Sequence, residues 1–205
     1  MPFRDMKMDN ILRADTTLEK LATLKPAFDK HSGKGTLTAG NSTNLSDGAS
    51  VALLSSEQWA TDNNKEIQAY LVDAQVAAVD FVGGDGLLMA PAWAVAQLLK
   101  RNNLNLQDFD FYEIHEAFAA QVLCTLKAWE SEQFCKEKLG MDAALGSIDR
   151  SKLNVFGSSL ALGHPFAATG ARIVATAAKL LKEKGQGRVL ISICTAGGMG
   201  VAAIV

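Results

Sequence analysis

The sequence predicts an α/β domain from about Asp47 onward, with a mixed sheet of about five strands and helices on both faces. Short apolar runs that suit buried strands alternate with longer segments whose apolar residues recur at helical spacing. Alternation of this kind is typical of a sheet covered by helices. The last two apolar runs, at residues 189–193 and 201–205, flank a glycine-rich turn, and that spacing favours a hairpin.

The elements follow from apolar patterns, capping residues and prolines. Residues 1–40 are polar and hold too few apolar side chains to fold alone, although a short helix is predicted at 17–24, ended before Pro26. Strands are predicted at residues 49–54, 68–81, 109–114, 189–193 and 201–205, with a short extended segment at 153–156. Helices are predicted at residues 57–62, 91–99, 116–139 and 170–181.

Composition narrows the class of protein. The 205 residues suit one domain, or one domain plus part of another, and 48% are hydrophobic and 20% charged, as in ordinary globular proteins. A net charge of -2 gives no electrostatic attraction to nucleic acid or to an anionic membrane. No apolar run approaches the roughly 20 residues that span a bilayer, and residues 1–7 lack the apolar core of a secretion signal. Three cysteines without paired spacing indicate reduced thiols and a cytoplasmic location.

The first candidate functional segment is residues 163–170, Gly-His-Pro-Phe-Ala-Ala-Thr-Gly. Pro165 suits a first helical turn, so His164 is expected at a helix N-terminus. The helix dipole disfavours an imidazolium there, which would keep the ring neutral and able to accept a proton. A histidine that only caps the helix is the alternative.

The second segment is residues 194–200, Cys-Thr-Ala-Gly-Gly-Met-Gly. Cys194 closes a predicted buried strand, and the turn after it could present backbone N–H groups to an anion or an oxyanion. A core cysteine beside a hairpin turn is the alternative.

The third segment is residues 113–119, Glu-Ile-His-Glu-Ala-Phe-Ala, in which His115 lies between a strand and a helix. A metal site is not expected, because no further ligands stand at suitable spacing. Since all three candidates follow or end a predicted strand, His115, His164 and Cys194 are expected to converge on one cleft.

Four other features are weaker candidates. Cys124 and Cys135 lie on one predicted helix and are interpreted as packing residues. His31 lies in a polar loop and is interpreted as solvated. Residues 83–86, Gly-Gly-Asp-Gly, lack the strand–glycine–helix pattern of a dinucleotide site and are interpreted as a turn.

Taken together and in this order, residues 41–48, 113–119, 163–172 and 194–200 resemble thiolases. The resemblance extends over essentially the whole chain. It is strongest with the thiolase (β) subunit of bacterial fatty-acid oxidation complexes of the trifunctional type, because His115 stands where most thiolases have Asn. The run from Gly163 through Arg172 carries the same resemblance. It implies the tail of the family's loop domain at 1–46 and a thiolase-like C-terminal domain at 47–205.

Thiolases transfer an acyl group between coenzyme A and a cysteine as they cleave 3-ketoacyl-CoA. The resemblance therefore implies CoA and acyl-CoA as substrates, with no further cofactor. It implies that His164 is the base that activates the nucleophilic cysteine, that Cys194 is a second acid and base, and that His115 helps to build an oxyanion site. Backbone groups of the 194–200 turn would serve the same oxyanion site, and three further residues would line the CoA tunnel. These residues are Ala196 and Gly197 for the turn, and Thr43, Leu87 and Phe118 for the tunnel.

The chain departs from the family pattern at the nucleophile. In the family that cysteine lies in the N-terminal domain, in a turn at a helix start, and none of Cys124, Cys135 and Cys194 fits such a segment. Two smaller departures are Ala196, where the family usually has Gly, and Thr43, where the tunnel residue is usually Ser. We therefore expect a C-terminal part of a thiolase that is inactive alone.

The resemblance also implies partners, namely the missing N-terminal half, a second subunit in a homodimer, and a hydratase/dehydrogenase α subunit. Two other functions remain open at this stage. One is a CoA-thioester-binding or assembly module without turnover. The other is a ketoacyl-synthase-type condensing enzyme, which shares a similar Gly-His helix start but ends in an Asn-Phe-Gly-Phe-Gly-Gly type of turn where this chain has Cys194.

Overall fold

The computed structural model describes Asp5 and residues 8–205. Its helices and strands alternate as the apolar patterns predict. The helices are α1 Leu18–Ala22, α2 Glu57–Asp62, α3 Ala90–Asn102, α4 Ala119–Glu130, α5 Glu132–Glu137, α6 Ser159–Leu162 and α7 Phe166–Lys184, with a 3₁₀ turn at Arg150–Lys152. The strands are β1 Asp73–Ala78, β2 Phe111–Ile114, β3 Val189–Thr195 and β4 Met199–Ile204.

The four strands form one mixed sheet in the order β1-β4-β3-β2. β4 pairs antiparallel with both β1 and β3, while β2 pairs parallel with β3. The predicted hairpin of the last two apolar runs is confirmed, with Cys194 opposite Gly200 in its register.

Helices cover both faces of the sheet, as predicted. Alternate residues of β4 point to opposite faces, so Ala202 and Ile204 join a core beneath α3 and α4, whereas Ala203 joins a core beneath α7. The first core centres on the fully buried Trp129, and the second on Ile173 of α7. The α/β class is therefore confirmed.

The expectation of about five strands is wrong for the described residues, which form four. The missing strand is the one predicted at 49–54, where the chain is extended but joins no ladder. Val51 is 89% exposed and Leu53 70% exposed. A strand needs a neighbouring strand for its backbone N–H and C=O groups, and the described residues offer none at this segment.

The single helix predicted at 116–139 is also wrong, because it is two helices. Phe118 is extended and α4 starts only at Ala119. Ser131 then interrupts the helix and caps α5, its Oγ accepting a hydrogen bond from the Phe134 N–H at 3.2 Å. A serine that can bond the backbone ahead of it favours a new helix start over continuation.

In Asp5 and residues 8–205, no helix combines the length and apolar character that a membrane crossing requires.

Candidate active site

His115 lies where β2 ends, and a buried asparagine fixes the turn that holds it. The His115 N–H donates to the Ser192 carbonyl of β3 at 2.9 Å, so strand pairing continues to this residue. Asn154 accepts from the Ile114 N–H and donates to the Ile114 carbonyl, both at 2.9 Å. It also donates to Glu116 at 2.7 Å. The ring of His115 is therefore set on a rigid backbone and is only 1% exposed.

His164 lies two residues before α7. Pro165 is the N-cap of that helix, whereas the sequence predicted it inside the first turn. Its N–H donates to the Asn44 carbonyl at 3.0 Å. Gly163 precedes it with a φ of 85°, a left-handed conformation that glycine adopts without strain. On the ring itself, Nδ1 lies 2.6 Å from the Thr169 hydroxyl of α7.

The two histidines meet, with ring centroids 4.2 Å apart and planes tilted by 50°. Their predicted approach is confirmed. Burial, the nearby His164 and the charge of Arg172 lower the pKa of His115 to about 3. Burial and then Arg172 also lower the pKa of His164. The lowered pKa of both rings favours their neutral forms, and loss of solvation is the first cause in each.

Cys194 lies near the end of β3 and is 5% exposed. Its Sγ lies 3.6 Å from the Gln121 side-chain oxygen, across the start of α4. Burial raises the pKa of the thiol to about 11, although backbone hydrogen bonds, including one from Ala117, oppose the rise. The group is therefore a protonated thiol at neutral pH. Its contacts with 117 and 121 place it beside the turn that follows His115.

The turn from 196 to 198 joins β3 and β4. Gly197 and Gly198 have φ of 83° and 73°, whereas Ala196 does not need the left-handed region. Alanine at this position therefore costs no backbone strain, and Ala196 and Gly197 are both exposed. The Gly198 carbonyl accepts from the Val79 N–H at 2.8 Å, which fixes the turn against the end of β1.

Two of the three residues expected in the CoA tunnel border the His115 turn. The Thr43 N–H donates to the Ala117 carbonyl at 3.0 Å, and its hydroxyl donates to the Ser159 carbonyl at 2.7 Å. Phe118 stands edge-on to Phe28 with centroids 5.6 Å apart. Leu87, 48% exposed, lies on the turn before α3, and only its neighbour Leu88 reaches this region, through a 3.3 Å bond from Gln121.

The structure agrees with three of the four weaker interpretations and contradicts one. Cys135 is fully buried with Sγ 3.4 Å from the Trp129 carbonyl, so its packing role is confirmed. Cys124 is exposed, so its interpretation as a packing residue is wrong: it lies on the solvent side of α4. His31 is exposed, and residues 83–86 form a turn, both as interpreted. Within the described residues no three His, Cys, Asp or Glu side chains group as metal ligands.

Sequence reasoning missed four polar residues that surround the histidines. Thr169, Ser159 and Arg172 contact the rings or each other, and Glu113 lies buried near Arg172. Thr169 and Arg172 belong to the segment that carries the resemblance, which is the only sequence signal for them. Glu113 likewise belongs to the 113–119 segment that carries the resemblance. Ser159 gives no signal, because only the folding of α6 brings it to the site.

The described geometry agrees with the comparisons to known proteins. The thiolase C-terminal domain matches residues 65–205, and the thiolase N-terminal domain matches residues 3–58. The chain belongs to the thiolase family. A 3-ketoacyl-CoA thiolase of Shewanella baltica is 46% identical over 197 residues, 96% of this chain and 44% of that protein. A probable 3-ketoacyl-CoA thiolase of Caenorhabditis elegans is 45% identical over 98% of this chain and 44% of its own length.

Solved thiolase structures share this fold. The Bacillus anthracis acetyl-CoA acetyltransferase superposes with a TM-score of 0.77 at 40% identity, over 96% of this chain and 44% of that one. Human mitochondrial 3-ketoacyl-CoA thiolase in complex with CoA gives a TM-score of 0.77 at 33% identity, over 97% and 45%. The dimeric peroxisomal thiolase of Saccharomyces cerevisiae gives 0.75 at 36% identity, over 96% and 44%. The chain thus spans less than half the length of these thiolases, and the family match disfavours a ketoacyl-synthase-type enzyme.

Proposed function

We propose that this chain supplies the acid–base half of a 3-ketoacyl-CoA thiolase site, and that a part of the enzyme outside these 205 residues supplies the nucleophilic cysteine. The observation that carries the proposal is the contact of two neutral histidines, His115 and His164, at 4.2 Å. Neutral imidazoles in contact can accept one proton and donate another without adding charge to a buried site.

His164 is the base in this proposal. The Thr169 hydroxyl donates to the Pro165 carbonyl at 3.3 Å, so its oxygen is free to accept the Nδ1 proton of His164. The lone pair of a neutral ring then resides on Nε2, where it can take the proton of a cysteine thiol. The resulting thiolate attacks the keto carbon of 3-ketoacyl-CoA. His115 helps to stabilise the oxygen on which negative charge develops.

Cys194 is the acid. When the bond between the α and β carbons breaks, the departing acetyl-CoA carries the electron pair and needs a proton, which the Cys194 thiol supplies. The Cys194 thiolate then removes the proton of an incoming CoA thiol, and the CoA sulfur attacks the acyl-enzyme to release the shortened acyl-CoA. Because burial raises the pKa of Cys194 to about 11, the resting group holds the proton that this step uses.

The remaining groups have supporting roles in the proposal. Thr43, Leu87 and Phe118 line the passage for CoA, and Thr43 and Phe118 already border the His115 turn. Backbone N–H groups of Ala196 and Gly197, on an exposed turn, face the same substrate. Residues 1–46 belong to the loop domain and 47–205 to the C-terminal domain. CoA is a substrate and no resident cofactor takes part.

The chain alone is proposed to lack turnover. Cys135 is fully buried in packing, and Cys194 is needed as the acid, so neither can also carry the acyl group. Cys124 is exposed on the solvent side of α4, and among the described residues no hydrogen bond joins its thiol to a base. Loss of the nucleophile from a cooperating catalytic set typically costs about a million-fold in rate. The whole enzyme is proposed to act in the cytoplasm as a homodimer, together with a hydratase/dehydrogenase α subunit.

The test measures thiolysis of a 3-ketoacyl-CoA by CoA, followed as loss of the ketoacyl thioester. The chain alone should give no turnover, and the chain co-folded with the N-terminal half of the Shewanella baltica relative should give turnover. In that assembly His164→Ala and Cys194→Ala should abolish the activity, while Cys124→Ser is the matched control and should retain it. Turnover by the chain alone, abolished by Cys194→Ala, would overturn the division of labour.

A further inference from the structure

A line of polar groups begins at Nδ1 of His115 and runs through Ser159 to Arg172. The Nδ1 atom is 2.9 Å from the Ser159 hydroxyl, at the first residue of α6. The same hydroxyl is 3.0 Å from Nη2 of Arg172 on α7. Ser159 is fully buried, and these two groups are the only partners of its hydroxyl among the described residues.

The protons of this line can be assigned from chemistry. A serine hydroxyl has one hydrogen to donate and two lone pairs to accept, whereas a guanidinium can only donate. If His115 Nδ1 also donated to Ser159, the hydroxyl hydrogen would have no acceptor among the described residues. A buried donor left unpaired loses its hydrogen bond to water without a replacement, which destabilises that arrangement. When Arg172 donates to Ser159 and Ser159 donates to Nδ1, both contacts of the hydroxyl are hydrogen bonds and Nε2–H of His115 is left to bind a ligand. The opposite assignment leaves both the hydroxyl hydrogen and the Nε2 lone pair without a partner among the described residues.

We infer that Ser159 is a positioning residue that holds neutral His115 with its proton on Nε2. The ring is then a hydrogen-bond donor on that side. The assignment of the proton to Nε2 does not depend on the proposed function. Only its role, which is to bind an oxyanion, rests on that function. His115 Nε2 is buried and has no hydrogen-bond partner among the described residues, so it is available to a ligand.

His164 shows the opposite arrangement. Its Nδ1 faces the Thr169 hydroxyl, whose own hydrogen is directed to the Pro165 carbonyl, so Nδ1 donates and Nε2 accepts. Two adjacent neutral rings are thus given opposite tautomers by two different hydroxyls. One ring becomes a donor and the other a base. Burial first, and the positive charge of Arg172 after it, lower the pKa of both rings and so favour the neutral forms in which a tautomer is defined.

The experiment is ¹⁵N NMR of the histidine rings in the 205-residue chain near pH 7, where protonated and unprotonated ring nitrogens have distinct shifts. His115→Gln and His164→Gln variants assign the signals. We expect His115 with the proton on Nε2 and His164 with the proton on Nδ1. A wild-type His115 with its proton on Nδ1 overturns the inference without any variant.

Substitutions then test the cause. Ser159→Asp, which places an acceptor-only group between Arg172 and His115, should move the His115 proton to Nδ1. Ser159→Ala should let the Nδ1-protonated form appear, and both variants should leave the His164 tautomer unchanged. Thr169→Val is the matched control. It should remove the preference of His164 for a proton on Nδ1 and leave the tautomer of His115 unchanged. A His115 ring that stays Nε2-protonated in a folded Ser159→Asp chain would contradict the assignment. These readouts need no turnover, so they can fail or succeed independently of the thiolase proposal.

Discussion

Glu113, His115 and Cys194 are each at most 5% exposed, and burial moves the pKa of each toward its neutral form. An ionised group loses more hydration than a neutral one when it leaves water, so acids are raised and bases lowered. The consequence is that burial favours the neutral forms of these three side chains around Arg172. Proton positions, rather than net charges, then distinguish the residues.

The Cys194 thiol should resist alkylation. Because its pKa is raised to about 11, the thiolate fraction near pH 8 is small, and the thiolate is the form that reacts. Exposed Cys124 should react first in the native chain. With iodoacetamide at pH 8, mass spectrometry should find one rapid modification, absent in Cys124→Ser, and three modifications after unfolding. Rapid native labelling of Cys194 would contradict a buried, protonated thiol.

Glu113 should make stability fall as pH rises. Burial raises its folded pKa to about 7 from an ordinary value of 4.5, so the folded state holds the proton more tightly. That stabilisation is complete below pH 4.5 and is lost as pH rises through 7. The shift corresponds to about 3 kcal/mol at most. In urea unfolding, Glu113→Gln should gain stability relative to wild type between pH 4.5 and pH 8.

The comparison with Glu113→Gln is needed because His115 acts in the opposite direction. Its folded pKa is lowered, so its contribution is lost as pH falls below the unfolded value near 6.5. Both chains contain that histidine, and the difference between them isolates the carboxyl. A difference that does not change with pH would mean that Glu113 ionises normally in the fold.

At this scale, sequence reasoning selected His115, His164 and Cys194, because each stands at the end of a strand or the start of a helix. Their catalytic roles stay predictions. It could not select Ser159 or Glu113. A serine at a helix start and an acidic residue in a strand have many ordinary explanations, and their meaning comes from partners 44 and 59 positions away along the chain.

Among the elements, β4 and α3 approach each other more closely than any side chain would allow. A Cβ at Gly200 would lie 2.5 Å from the Pro91 backbone nitrogen and 2.8 Å from the Ala90 carbonyl carbon. Gly200 does not adopt a left-handed conformation, so the need for glycine is steric alone. The close approach lets α3 cover the hairpin whose other strand, β3, carries Cys194 near its end.

Gly200→Ala should therefore destabilise the chain by about 1–3 kcal/mol, as overpacking of a tight core contact does. Gly170→Ala is the matched control. Gly170 lies inside α7 with open space around its Cβ direction, so alanine there should stabilise by about 0.5–1 kcal/mol. Chemical unfolding of both variants measures the change in the free energy of unfolding, which should be a decrease for Gly200→Ala and an increase for Gly170→Ala. Equal effects would show that the β4–α3 approach is not tight in solution.

Sequence patterns identified the helices and strands more accurately than the residues at which they begin and end. The apolar spacing of α7 and the glycine turn between β3 and β4 were sufficient, because both are local signals. The break at Ser131 was missed because the apolar positions continue across it. The strand predicted at 49–54 was wrong because an apolar run specifies a strand only when another strand lies beside it, and that is a tertiary condition.

For the whole molecule, apolar surface is concentrated in one segment, residues 45–72, outside the two cores. Its most exposed apolar side chains are Leu45, Val51, Leu53, Leu54 and Val72. Between part of this segment and α7 lies an open cavity of about 780 Å³. Protein interiors are close-packed, so a gap of this size indicates that the segment packs only loosely on the domain, although Ala69 reaches the core beneath α7. The thiolase N-terminal domain match ends inside it, at residue 58.

The isolated chain is therefore expected to self-associate. Contiguous exposed apolar surface favours burial against another molecule, and β1 adds an unpaired sheet edge on which Val76 is 62% exposed. Sedimentation velocity should show an average mass that rises with concentration, together with binding of a hydrophobic dye. Replacing Val51 and Leu53 by Ser should lower both effects while unfolding stability stays within about 0.5 kcal/mol, because exposed side chains contribute little to the core. The matched control is Val189→Ala on the buried strand β3, which should lower stability without reducing association. A monomer at high concentration that binds no dye would show that residues 45–72 cover their own apolar surface in solution.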